Sequence, residues 1–239
     1  MLISIQQPEF FPWLGFFNKV SQVEKIVLLD SVQFKKRYFE NRNKIRTPQD
    51  WCWVRVPVKV KGRYTQLIRD VDIDDDQNWR RKMAESIRQN YAKAPYWKDG
   101  GDELCEIVMA NHSTRLVEFN VQVISFLMRR FELVRPMVMA SDLGVGSMGS
   151  QLILDICKAV GASAYLSGRD GRDYLEAKAF ARADVQLFFQ EFSHPTYEQF
   201  HAGNFLPAMS AIDALFNLGA IRAADMIATA GSKSPQTIT

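Results

Sequence analysis

A chain of 239 residues, 47% hydrophobic and 24% charged, has the composition of an ordinary globular protein with length for one large domain or two small ones. A net charge of +3 is too weak to argue for nucleic acid. No run approaches the roughly eighteen apolar residues of a membrane span, and no basic segment precedes the first apolar run as in a signal peptide. The expectation is a cytoplasmic protein with no membrane insertion. Three scattered cysteines (Cys52, Cys105, Cys157) and three histidines (His112, His194, His201) form neither a disulfide framework nor a zinc pattern, so buried thiols and no metal site are expected.

In chain order, an apolar strand over 2–5 runs into Gln6-Gln7-Pro8-Glu9-Phe10-Phe11-Pro12-Trp13, a loop stiffened by two prolines. A helix over 16–23 and a second strand over 26–29 follow, ending in Asp30-Ser31-Val32-Gln33-Phe34. Next comes a cationic, amide-rich run: Lys35, Lys36, Arg37, Asn41, Arg42, Asn43, Lys44 and Arg46. Alternation over 51–60, a break at Lys61-Gly62 and a short strand over 66–71 predict a small β insertion, about 51–73. Trp79, Met83, Ile87 and Tyr91 at four-residue spacing predict an amphipathic helix over 78–91. Helices over 102–111 and 114–130 complete a helical segment, about 78–130. The last third returns to strand–helix alternation. Strands are expected over 138–140, 164–166 and 185–189, and helices over 151–160, through Phe180, and over 210–219. These strands should be neighbours in one mainly parallel, Rossmann-like sheet flanked by helices, because continuous apolar runs argue for burial on both faces. A single α/β domain over 1–219 is expected, with 231–239 a polar, disordered tail.

In an open parallel sheet, ligands bind outside the carboxyl ends of the strands. Gln6 and Gln7 end the first strand and Asp30 the second. Asp30 there can orient a ribose, hold Mg²⁺, act as a base or cap a turn. Lys35, Lys36, Arg37, Asn41, Arg42 and Asn43, with Gln33, suit a phosphorylated ligand, since Arg grips phosphate with paired bonds and Lys supplies a point charge. Ser167-Gly168-Arg169-Asp170 follows a later strand, and its Gly permits close backbone approach, with Asp173 and Tyr174 beyond. His194, in the rigid turn His194-Pro195, can serve as a general base or simply bond its own backbone.

Together these motifs carry a resemblance. Gln7-Pro8, Pro12-Trp13-Leu14-Gly15-Phe16-Phe17-Asn18-Lys19, Asp30-Ser31-Val32-Gln33-Phe34, Asn41-Arg42-Asn43, Tyr165-Leu166-Ser167-Gly168 and His194-Pro195-Thr196-Tyr197 resemble the WbqC-like family, associated with O-antigen and other surface-polysaccharide genes. Members typically carry His before the Gln-Pro pair, where this chain has Gln6. A fainter similarity is to the nucleotidyl-transferring fold of pantothenate synthetase, without its His-x-Gly-His signature.

The resemblance implies an enzyme of surface-glycan synthesis acting on a nucleotide-linked amino sugar, forming an amide by N-acyl or aminoacyl transfer. His194 or Asp30 would be the base. Gln6, Gln7 and Asn43 would orient the acyl group, and Lys35, Lys36, Arg37 and Arg42 would hold phosphates. The acyl donor, activated by ATP with Mg²⁺ or arriving as a thioester, is left open, as is a homo-oligomer. Alternatives are a nucleotidyltransferase or ATP-dependent ligase on another small anion, and a non-catalytic nucleotide-sugar-binding protein.

Overall fold

The computed structural model describes residues 1–75 and 78–235. β1 (Leu2–Gln6) is the central strand of the main sheet and pairs in parallel with β2 (Lys25–Leu28) on one side. β6 (Ala164–Ser167) flanks it on the other side, also parallel. β5 (Met137–Met139) extends the sheet beyond β2, and β7 (Gln186–Phe192) extends it beyond β6. The edge strand β8 (Gly231–Pro235) runs antiparallel to β7, giving the order β5-β2-β1-β6-β7-β8.

Residues alternate across such a sheet with period two. Ile26, Leu28 and Leu166 enter one core, shared with α1 (Leu14–Ser21), α4 (Leu116–Arg130), α7 (Ala211–Leu218) and α8 (Ala220–Thr229). Ile3, Ile5, Val27, Tyr165, Leu187 and Phe189 enter the other, covered by α5 (Gly149–Ala159) and α6 (Ala177–Arg182). Helices on both faces explain the unbroken apolar runs. The expected strands therefore do lie in one mainly parallel sheet. α2 (Trp79–Tyr91) and α3 (Gly101–Ala110) pack beside α4 against the first core, as the helical periodicity predicted.

Four expectations need correction. The cationic run is not a loop throughout: β3 (Arg42–Arg46) pairs antiparallel with β4 (Trp51–Arg55) in a separate hairpin. On its outer side Arg42 stacks on Trp53 at 4.1 Å and Lys44 on Trp51 at 4.6 Å, so these cations cover aromatic faces. The strand expected over 66–71 is a 3-10 turn at Ile68–Asp70, with only Leu67 bridging to Gln33. The ordered chain does not end at 219, because α8 follows and buries Ala223 and Ile227. Within the tail, Gly231–Pro235 forms β8, its backbone paired with β7 although it offers almost no apolar side chain; residues 236–239 lie outside the described residues.

The α7–α8 corner depends on Gly219. Its φ of 81° and ψ of 162° belong to a region open essentially to glycine. A Cβ there would also come 2.7 Å from Tyr96 Cδ1. Gly219→Ala should therefore cost about 1–3 kcal/mol in urea denaturation, and an unchanged midpoint would show that the corner relaxes freely.

Candidate functional site

In the order β5-β2-β1-β6-β7, the chain winds outward from β1 in one direction and from β6 in the other. The crevice between the carboxyl ends of β1 and β6 is thus the topological switch point, where ligands bind in open α/β sheets. Two loops leave the sheet there. The first, after β1, carries Gln6, Gln7 and Glu9; the second, after β6, carries Gly168 and Asp170. A third segment, 35–40, folds over them.

Two buried amides lace these segments together. Asn120, on α4 and fully buried, donates to the Pro8 carbonyl at 2.7 Å and to the Glu40 carbonyl at 2.8 Å. Asn43, on β3, donates to the Phe11 carbonyl at 2.7 Å. Phe11 has a φ of 44°, unusual for a bulky residue and held by this bond and by its burial. Phe10 N–H donates to the Phe39 carbonyl at 2.8 Å, a third tie between the loops.

Held in this way is a cluster of ionisable groups that no sequence pattern singled out. Glu40 is fully buried, and neither carboxylate oxygen has a partner in good hydrogen-bond geometry among the described residues. Burial raises its pKa, partly offset by the nearby backbone N–H groups of Glu40 and Lys35 and by the Lys35 ammonium. Glu9 is half-buried as a residue, yet its Oε2 is sealed and unpartnered. Burial raises its pKa to about 7; Lys19 opposes the shift and Glu40 adds to it. Lys19, projecting from α1, is 9% exposed. Burial lowers its pKa to about 8, against the pull of Glu9 and Asp170.

Gly168 leaves space beside this lysine, since a Cβ there would stand 3.8 Å from Lys19 Nζ. The Tyr38 phenol is raised first by partial burial and then by Glu9, Glu40 and Asp170, which places it over the same cluster. Lys35 Nζ lies 5.3 Å from the Tyr38 ring. Gln6 adds a buried Nε2 with no acceptor. Unpartnered carboxylate oxygens on Glu9 and Glu40 and an unpartnered amide donor at the end of β1 give the crevice groups able to engage a ligand carrying both N–H or O–H groups and a carbonyl.

The residues singled out from sequence distribute unevenly. Gln6 ends β1 at the crevice, Gln7, Gly168 and Asp170 lie on the loops there, and Lys35, Lys36 and Arg37 are exposed on the third segment, with Lys35 close to Glu40. Asp173 and Tyr174 are exposed beyond Asp170, whose charge raises the Tyr174 phenol in addition to burial. Ser167 is buried and faces its own turn: a Cβ on Gly171 would meet its Oγ at 2.0 Å.

Others do structural work. Asn41 donates to the Val56 carbonyl at 3.0 Å, Gln33 donates to the Tyr64 carbonyl at 2.8 Å, and Asn43 and Arg42 are engaged as described. Asp30 accepts from Ser141 N–H at 2.9 Å and from Ser141 Oγ at 2.7 Å, tying the segments after β2 and β5. Both of its oxygens are thereby occupied.

His194 follows β7, three strand spacings or about 14 Å from the end of β2. It sits among Trp13, Phe192 and Phe205. Its Nδ1 is 3.0 Å from the Pro195 carbonyl, which can only accept, so Nδ1 carries the proton and the buried Nε2 is left without a partner. Burial lowers its pKa. Asp213, fully buried on α7, accepts from Tyr91 OH at 2.8 Å, Tyr197 OH at 2.7 Å and Gln199 Nε2 at 2.8 Å. It anchors the segment after β7 and does not face the crevice.

The fold and the motifs that build its loops place the chain in a known class. The model of the WbqC-like protein family matches residues 7–224, and the chain belongs to that family. It is also similar to a Mycobacterium tuberculosis (strain ATCC 25618 / H37Rv) protein described as "Uncharacterized protein Rv1507c", with 29% identity over 219 residues, 91% of this chain and 94% of that protein. No solved structure is significantly similar to the chain. No helix among the described residues is long and apolar enough to cross a membrane.

The geometry makes Asn120 the buttress of the site. Asn120→Asp removes the N–H donors and strands the Pro8 and Glu40 carbonyls, at about 1–3 kcal/mol for each buried group left unpaired. Urea denaturation should register at least about 2 kcal/mol, whereas a loss within ±0.5 kcal/mol, the range of ordinary surface changes, would deny it that role.

Proposed function

We propose that the protein is an enzyme of surface-glycan biosynthesis that binds a nucleotide-linked amino sugar at the β1/β6 crevice and forms an amide on the sugar nitrogen. The observation that carries this reading is a pair of carboxylates: Glu40, fully buried with neither oxygen in a hydrogen bond of good geometry and close to the Lys35 ammonium, and half-buried Glu9, whose sealed Oε2 has no partner and which lies near Lys19. Buried carboxylate oxygens are costly unless a donor reaches them. A sugar ammonium supplies up to three N–H donors and a charge that suits them. The exposed cations Lys35, Lys36 and Arg37 suit the diphosphate at the other end of the same molecule. Gln6 Nε2, a buried donor, is placed to receive the oxygen of an acyl carbonyl, where it would stabilise the charge that develops during attack.

In this arrangement Glu40 orients the ammonium, Lys35, Lys36 and Arg37 hold phosphates, and Gln6 polarises the acyl group. The acid–base work falls to groups in the crevice. Asp30 has both oxygens engaged by Ser141, and His194 lies in an aromatic cluster after β7, so neither is assigned to it. Arg42 and Asn43 likewise leave the ligand set, being held by Trp53 and by the loop carbonyls.

Thermal-shift measurements test the binding half of the reading. A nucleotide-linked amino sugar should stabilise the protein more than its N-acetylated counterpart, because only the free amine satisfies Glu40 and Glu9. Lys35→Ala and Arg37→Ala should each weaken binding by about 1.5–3 kcal/mol for every charge-assisted hydrogen bond to phosphate that is removed. Equal stabilisation by both sugars would sink the ammonium assignment. Mass spectrometry of the amino sugar incubated with the protein and an acyl thioester, or with a free acid and ATP, tests the reaction.

A further inference from the structure

The proton chemistry of the crevice, which rests on the amide-forming reading, starts from the substrate. A sugar ammonium has no lone pair, so one proton must leave before attack. A second leaves as the C–N bond forms and the bond from the acyl carbon to its leaving group breaks, the bonding pair departing with that group. The balance is R–NH₃⁺ plus R′CO–X giving R–NH–COR′, X⁻ and two protons. The acyl donor R′CO–X is a thioester or an acyl phosphate.

We propose that Lys19 and Glu9 are the two proton acceptors of this reaction, neutral Lys19 taking the first proton and ionised Glu9 the second. Lys19 Nζ stands over the space that Gly168 leaves open, 3.8 Å from where a Cβ would be, and engages no hydrogen bond or ion pair among the described residues. Glu9 Oε2 is sealed with no partner of its own. The order follows base strength: the less acidic ammonium proton needs the stronger base, and the acidic N–H of the addition intermediate needs only a carboxylate. Titration near neutrality, at about 8 for Lys19 and about 7 for Glu9, suits both groups to give the protons up again to solvent.

The other charges facing the pair are Glu40 and Asp170, with Tyr38 as a phenol; Lys35 lies by Glu40 and the Tyr174 phenol by Asp170, one group further out. Glu9 and Asp170 hold the Lys19 value up against burial, and Lys19 holds the Glu9 value down.

Heteronuclear NMR of the lysine Nζ signals in the wild-type protein tests the pair without substrate. One lysine signal, assigned to Lys19, should titrate at about 8. Glu9→Gln should move it lower, because the charge that supports it is gone. A Lys19 titrating at its ordinary value, about 10.4, would overturn the assignment even if amide forms. In turnover assays followed by mass spectrometry, Lys19→Met and Glu9→Gln should each lower the rate on the order of 10²–10⁴-fold, and the amino sugar should still shift the melting curve of Lys19→Met. Glu9→Asp should recover part of the loss. Wild-type turnover in either variant would overturn the role. Absence of product from the wild-type protein with every donor overturns the amide reading itself, and this role with it.

Discussion

The two carboxylate-bearing loops of the crevice meet at one side-chain amide. Asn120 Nδ2 bridges the carbonyls of Pro8 and Glu40, residues thirty-two positions apart that belong to different loops. Each carbonyl lies within one residue of a buried carboxylate, so this one group sets the spacing between Glu9 and Glu40. Loop segments this deep would otherwise carry backbone groups with no partner, which is why loops ordinarily run over the surface. A helix-borne amide satisfies them from below and is itself fixed by the packing of Phe119 and Val123 beside it on α4. Rigid support from a helix gives a loop site the geometric precision that ligand recognition needs.

The cluster so held is electrostatically unfavourable by itself. Burial works against the charge on every member, Lys19 included, and the Glu40 carboxylate further raises the proton affinity of Glu9. Replacing such groups with apolar residues is commonly neutral or stabilising in a protein that needs only to fold. Strained, part-satisfied polar groups concentrate instead where a ligand completes them. By contrast the Asp213 network nearby is complete, with three donors on one carboxylate. The two clusters illustrate the difference between a buried charge that organises the fold and one that awaits a partner.

Legibility in the sequence followed burial. β1, β2, β6 and β7 were readable because helices on both faces leave continuous apolar runs, and α2 and α4 because one face is apolar at helical spacing. β3 was not, since its inner residues include an amide, Asn43, and its cations Arg42 and Lys44 find their partners in tryptophans on β4, a relation visible only after folding. β8 was invisible because backbone pairing with β7 holds it, and Gly-Ser-Lys-Ser-Pro advertises none of that. At the site, position after a strand identified Gln6, Gly168 and Asp170. Glu9 and Lys19 carried a weaker signal, and Glu40 none: Glu9 stands directly before Phe10-Phe11, and Lys19 lies inside the largely apolar stretch from Leu14 to Val20. A charged residue framed by apolar neighbours is the pattern that marks an ionisable group carried inward. His194 and Asp30 drew notice for sitting at strand ends, but strand ends also need tying, and that is what Asp30 does.

Gln6 joins the fold to the chemistry. The family resemblance implies a histidine before the Gln-Pro pair, and an amide in that place can position a substrate but cannot exchange a proton. The buried Nε2 of Gln6 keeps the donor function of an imidazole N–H and gives up its titration. Under the proposed amide-forming reaction, proton transfer would have to come from elsewhere in the crevice. The groups there that burial has moved toward neutrality are Glu9 and Lys19, on the same loop and the helix that follows it. Division of labour between an amide that polarises and a carboxylate–amine pair that exchanges protons is therefore the form the proposed reaction would take here, with Gln6 at the end of β1, Glu9 on the loop after it and Lys19 on the helix that follows.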